Sequence, residues 1–332
     1  MQPSKPPPPS THPRMQIRWL DPAGVDRRDV CGAVATLEAA RIADGRRGVV
    51  PTVSGFVGAM RTGWDGDAPL VAVAAEDHRV HGVLELTLPP WDNPDLGIAE
   101  ITVDPLRRRR GVGRTLWAIA VERMRSAGRS TLVAEAVRGS TGETFLANMG
   151  FEIERGEQHR VQDVTSLDWA VLDRMYADAR THADGYELRE IPPEAPDGML
   201  DALTTVMSAI NDAPLDARHP EPDAYPPERI RAYEAGEASI GRAGYRIVAV
   251  DARTGRFVGY TGVGVDVERP WYATQYATTV LADHRGHRLG LLLKIEMLRL
   301  LRDREPALRE ISTWNSPHNE YVVAVNDALG YR

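Results

Sequence analysis

Between Val103 and Arg114 the chain reads Val-Asp-Pro-Leu-Arg-Arg-Arg-Arg-Gly-Val-Gly-Arg, a basic run closed by two glycines one residue apart. Apolar alternation before the run and an amphipathic stretch after it, Val112 to Ser126, place it between a strand and a helix. A strand that stops at Pro105 and turns through glycine into a helix leaves backbone N–H groups unpaired at one point. Such a point suits a pyrophosphate: the helix dipole and free N–H groups attract it, glycine admits its oxygens, and arginines offset its charge.

A second run, Thr279-Val-Leu-Ala-Asp-His-Arg-Gly-His-Arg-Leu-Gly290, stands before a helix expected over 289–302. Arg285 lies 177 residues after Arg108, and Gly330 lies 180 after Gly150, the glycines that close the two units. Offsets of that size mean duplication of a whole domain rather than a solenoid. In the second run Arg288 stands where Gly111 stands in the first, a substitution that costs energy wherever a positive φ is required. The N-terminal run is therefore expected to hold the phosphates better.

These residues resemble the GNAT superfamily of acetyltransferases, whose pattern is Gln/Arg-x-x-Gly-x-Gly/Ala after a strand. Arg108, Gly111 and Gly113 fill its fixed positions, and Arg285 and Gly290 match in the second copy. Gly142 to Phe151 looks like the family's last helix and Gly-Phe turn, and Thr313 to Tyr331 resembles an actinobacterial-looking tandem subgroup with asparagines after the fifth strand. The resemblance implies acetyl-CoA as cosubstrate. In the first copy Arg108, Arg109, Arg110, Gly111, Val112, Gly113, Arg114 and Thr115 would hold the pyrophosphate, and Ile101 and Val103 the pantetheine arm. In the second copy Val280, Arg285, Gly286, His287, Arg288, Leu289, Gly290, Asn315 and Asn319 would do the same. Mycothiol-forming acetyltransferases share the tandem arrangement but work with their C-terminal copy, which sits uneasily with the better preserved N-terminal loop here.

Transfer of an acetyl group to an amine needs a base for the nucleophile and a proton for the departing thiolate. Glu100, on the strand entering the first loop, is the candidate base, although an exposed edge carboxylate reads the same way. Many family members carry an acidic tyrosine four residues before the closing glycine, where this chain has Leu146 and Asn326. Asn326 and the nearby Tyr321 are the remaining candidates. His284, His287 and His318 lack metal-ligand spacing, and no metal is expected. The acidic aromatic segments Trp64-Asp-Gly-Asp67 and Trp91-Asp-Asn-Pro-Asp95 would rim the first acceptor cleft and suit a cationic amine.

Positioning these groups takes two α/β (α+β) units, each a mixed, mostly antiparallel sheet flanked by helices. The expected division is a disordered leader 1–14 with four consecutive prolines, a first domain 15–157, a partly helical connector 158–185 and a second domain 186–332. At 332 residues two domains are natural. The net charge of −7 argues against a nucleic-acid partner, and no apolar run is long enough to span a bilayer. With no signal-peptide pattern a cytoplasmic location is expected, as a monomer or homodimer. The single cysteine, Cys31, excludes an internal disulfide and is expected to be buried. The activity read from all this is N-acetylation of a small primary amine or specialised metabolite; the alternative is a coenzyme-binding regulatory or scaffold protein with a non-catalytic copy.

Overall fold

The computed structural model describes residues 15–153, 156–212 and 222–332. The proline-rich leader and most of the loop expected over 214–227 lie outside the described residues.

The first sheet runs in the order β1 (Gln16–Trp19), β2 (Leu70–Glu76), β3 (Arg79–Thr87), β4 (Leu96–Val103), β5 (Thr131–Val133). Its pairs are antiparallel except β4 with β5. Helices α1 (Arg27–Ala43) and α2 (Val53–Thr62) start at Asp26 and Thr52, whose side chains accept hydrogen bonds from N–H groups of the first turn. They cover one face through Val30, Ala33, Phe56 and Met60 against Val71, Val73 and Val83. Helix α3 (Val112–Ser126) covers the other through Val112, Leu116 and Ala120 against Ala72, Leu84, Leu86 and Ala99. Helices on both faces explain why β2 buries side chains on both sides instead of alternating. Helix α4 (Thr141–Asn148) ends the unit, with Gly150 at φ +89.

The second sheet repeats the plan with β7 (Tyr186–Ile191), β8 (Arg242–Asp251), β9 (Phe257–Asp266), β10 (Tyr272–Val280) and β11 (Glu310–Asn315). Helices α6 (Leu200–Ser208) and α7 (Pro227–Ser239) take the places of α1 and α2, α8 (Leu289–Arg304) that of α3, and α9 (Glu320–Ala328) that of α4. The structure differs from the sequence reading over 158–185. There β6 (Gln158–Asp163) pairs antiparallel with β11 as the sixth strand of the second sheet, and α5 (Trp169–Arg180) packs on α8. Backbone bonds between Val161 and Arg332 tie the last residue to the same strand. The sheet needed an edge strand after β11, and the polar alternation of Gln158 to Asp163 suits an edge.

Helices α2 and α7 pack across the junction of the two units at glycine. A Cβ on Gly58 would meet the Ser239 carbonyl oxygen at 2.0 Å, and one on Gly236 the Trp64 oxygen at 2.4 Å. The loops expected to rim the first acceptor cleft lie at this junction instead. Asp65 and Asp92 both hold Arg229 of α7, the latter at 2.8 Å. Trp64 stands edge-on to Tyr233 and Tyr276 of the second unit. The cationic partner those acidic loops suit is thus an arginine of the same chain. Cys31 also departs from expectation: it is exposed, because the buried stripe of α1 runs through Val30 and Ala33 and leaves residue 31 facing out.

Candidate functional site

Strand β4 pairs with β5 only over Leu96–Ile98 against Thr131–Val133. From Ala99 to Val103 the side of β4 toward β5 makes no ladder bonds, so the two strands fork, and the fork opens at the loop that leads into α3. In that loop Arg109 has φ +62 and Gly111 φ +87, and Gly111 precedes α3 with no side-chain cap. The first N–H groups of α3 are therefore free for a ligand, and the space a Gly111 Cβ would enter is open. Arg109, Arg110 and Arg114 are exposed and make no side-chain bond or ion pair among the described residues. Gly113 lies against Phe145 and Val103, while Val112 is buried and anchors the helix start. The Thr115 hydroxyl donates to the Gly111 carbonyl.

Arg108 is turned to a different use. Its guanidinium makes a forked pair with Asp44 at the end of α1, at 2.6 and 2.8 Å, and its Nε donates to Val103 O at 3.4 Å. Arg285 repeats this with Asp212 at 2.9 Å and Val280 O at 3.1 Å. In both copies this arginine braces the loop against the strand end and the first-helix region.

The second loop has the same backbone shape with its residues exchanged: Gly286 at φ +84 and Arg288 at φ +54 stand where Arg109 and Gly111 stand in the first. Each loop has one glycine and one arginine at its two left-handed positions, so Gly286 supplies the freedom that Arg288 lacks. The basic groups here are covered. Arg288 pairs with Asp178, the His287 ring nitrogen donates to the His182 carbonyl, and His284 bonds the Tyr186 hydroxyl. His318 is exposed, and the described residues hold no cluster able to bind a metal. Leu289 is buried, and Gly290 lies under the ring of Tyr321, itself 57% exposed. Asn319 caps α9 by accepting from Val322 N.

On β4, Ala99, Ile101 and Val103 face α3, so Glu100 faces the side of α1 and α2. Directly across from it on β3 is Glu85, which the sequence reading missed. Burial, reinforced by the neighbouring Glu100, pushes the Glu85 carboxyl up to about 8. Glu100 is solvent-exposed; partial desolvation by the surrounding protein first, and then Glu135, raise it above the ordinary value, while Arg46 opposes them. Arg46, in the loop between α1 and α2, also acts on His159 of β6, and Gly48 lies against the His159 ring. The loop between α1 and α2 thus joins the neighbourhood of Glu100 to β6 of the second unit.

The second copy lacks this pair. Gly82 opposes Val103 just as Gly259 opposes Val280, and three residues further on stand Glu85 and Gly262 respectively. Opposite Gly262 the register of β10 shifts between Gln275 and Thr278, and Tyr276 and Ala277 in that bulge stand where the first copy has Glu100. Tyr233, Tyr276 and Trp64 fill the volume. Asn326 and Tyr321 belong to this copy and do not converge with Glu100. Asn326 is fully buried, between Asn315 and the amine of Lys294.

A sheet that forks beside an uncapped helix N-terminus, built twice in one chain, is the arrangement of a tandem GNAT protein, and the comparisons support that acyltransferase class for this chain. The acetyltransferase (GNAT) family profile matches residues 52–151. Over 330 residues, 94% of each chain, it is 27% identical to mycothiol acetyltransferase of Rhodococcus jostii (strain RHA1). A tandem GNAT protein from the clavulanic acid biosynthesis pathway, solved without AcCoA, is 29% identical, with a TM-score of 0.76 over 96% of this chain and 95% of that one. A GCN5-related N-acetyltransferase from Sphaerobacter thermophilus shares the fold, with a TM-score of 0.66 at 14% identity over 96% and 92% of the two chains. No helix among the described residues is long and apolar enough to cross a membrane.

Proposed function

We propose that the first copy is the catalytic one and acetylates a small primary amine with acetyl-CoA. The observation that carries the reading is the Glu85–Glu100 pair beside the unpaired half of β4. The coenzyme supplies an activated acetyl thioester. The free N–H groups of α3, with Arg109, Arg110 and Arg114, would hold its pyrophosphate; Ile101 and Val103 offer backbone groups to the extended arm. Glu85 stays protonated at neutral pH and donates, and Glu100 takes the proton from the incoming ammonium. The second copy supports the scaffold reading: its carboxylates are replaced, its acceptor side holds Trp64, and its loop arginines are engaged.

Thiol release from acetyl-CoA across a panel of primary amines, including aminoglycosides and amino sugars, tests this. The rate should rise with pH through the elevated titration of Glu100, and Glu100→Gln should lower it by about a hundredfold or more. Arg110→Glu with Arg114→Glu should raise KM for acetyl-CoA with little change in kcat. If acetyl-CoA protects the protein thermally while no amine releases thiol, the enzyme reading fails and the scaffold reading stands.

A further inference from the structure

The loop that joins α1 to α2 is pinned at both ends. At its start Asp44 holds Arg108, whose Nε donates to Val103 O at the end of β4, the strand that carries Glu100. The Arg46 N–H donates to Arg41 O, and the Arg41 guanidinium returns a bond to Arg46 O, both at 3.0 Å. Further on, a Cβ on Gly48 would lie 3.3 Å from the His159 ring of β6 and 3.6 Å from the Tyr272 hydroxyl of β10. Val50 O accepts from Arg269 of the second unit at 2.8 Å. The loop is thus held between the strand of Glu100 and the second sheet.

Between those pins stand Arg46 and Arg47, both exposed, and neither guanidinium makes a hydrogen bond, ion pair or ring contact among the described residues. Their charge is felt on both sides. Desolvation raises Glu100 and Glu310, and Arg46 opposes the rise at the first as Arg47 does at the second. At His159 desolvation and then both arginines disfavour the charged ring. Carboxylates near enough to be felt, yet not close enough to pair, leave each guanidinium with its fork of N–H donors unused. Two such forks side by side on a held loop suit an oxyanion. Glu85 and Glu100, on the face of the first sheet that α1 covers, suit an ammonium.

We propose that Arg46 and Arg47 determine which amine the first copy accepts: one that also carries an anionic oxygen group, carboxylate or phosphate, held by these guanidiniums while its nitrogen lies at Glu100. This rests on the reading that Glu100 is the base of the first copy. An amine without the anion meets Arg46 as a like charge near Glu100 and is disfavoured. The arginines do not touch the reacting atoms, so they act through acceptor binding and appear in KM rather than kcat. Their exposure makes the attraction modest and sensitive to salt.

The test measures thiol release at saturating acetyl-CoA with matched acceptors: cadaverine against lysine, and glucosamine against muramic acid and glucosamine 6-phosphate. At least one anionic member should show a KM about tenfold below that of its match, and which one does so tells carboxylate from phosphate. Added salt should narrow the gap, Arg46→Gln with Arg47→Gln should close it through KM, and Arg47→Glu should reverse it. Equal KM values within the sets, or thiol release confined to amines without an anion, overturn the proposal and leave the first copy an acetyltransferase of another specificity. A gap that the double substitution leaves intact overturns the assignment to these arginines. If neither these acceptors nor the wider amine panel release thiol, the catalytic reading fails and the proposal with it.

Discussion

Glu85 and Glu100 owe their chemistry to position, because a carboxylate between leucines on a strand is ordinary until its neighbour across the ladder is another one. The fold holds Glu85 protonated up to about 8, against an ordinary value of 4.5. The sign follows: its stabilising contribution is complete below 4.5 and is lost as pH rises through about 8. The wild type should therefore lose on the order of 2 kcal/mol of unfolding free energy between about pH 5 and pH 9 that Glu85→Gln does not lose, measured by urea denaturation at each pH. Glu100 was legible in the sequence from its place before the loop. Glu85 was not, because its partner lies across the ladder on another strand.

The two glycine–arginine loops show how one backbone shape can be met by two arrangements of the same residue types. Each needs two left-handed residues, and each places glycine at one and arginine at the other. Gly111→Val should cost roughly 1–2 kcal/mol of stability, since a branched side chain is forced to φ +87, and should raise KM for acetyl-CoA far more than it lowers kcat. Arg288→Gly should instead be neutral or stabilising by up to about 1 kcal/mol, because the relieved strain offsets an exposed ion pair with Asp178. Chemical denaturation and coenzyme titration check both. Element identities followed closely from periodicity and turn residues: the amphipathic stretch Val112 to Ser126 and the helix expected over 289–302 stand as α3 and α8. The function of Arg108 did not follow, because Asp44, its partner, lies 64 residues away.

At the scale of the whole molecule the two copies are locked together and made unequal by the locking. Arg229 neutralises Asp65 and Asp92 at the junction, and burial already raises Asp65 against the pull of that arginine. Arg229→Ala should cost about 3 kcal/mol by leaving two buried carboxylates facing each other, and should split thermal unfolding in calorimetry into two transitions. Trp64 rides on the same junction, so loosening it opens the second acceptor side.

By itself the sequence determined the duplication, the strand–loop–helix units and the basic glycine loops, because each is written in residues close together in the chain. Only the tertiary structure decided that Gln158 to Asp163 completes the second sheet, that Glu85 meets Glu100, and that the acidic tryptophan loops hold an arginine instead of a substrate. Those pairings join segments far apart in sequence, where register and burial, rather than local propensity, choose the partner.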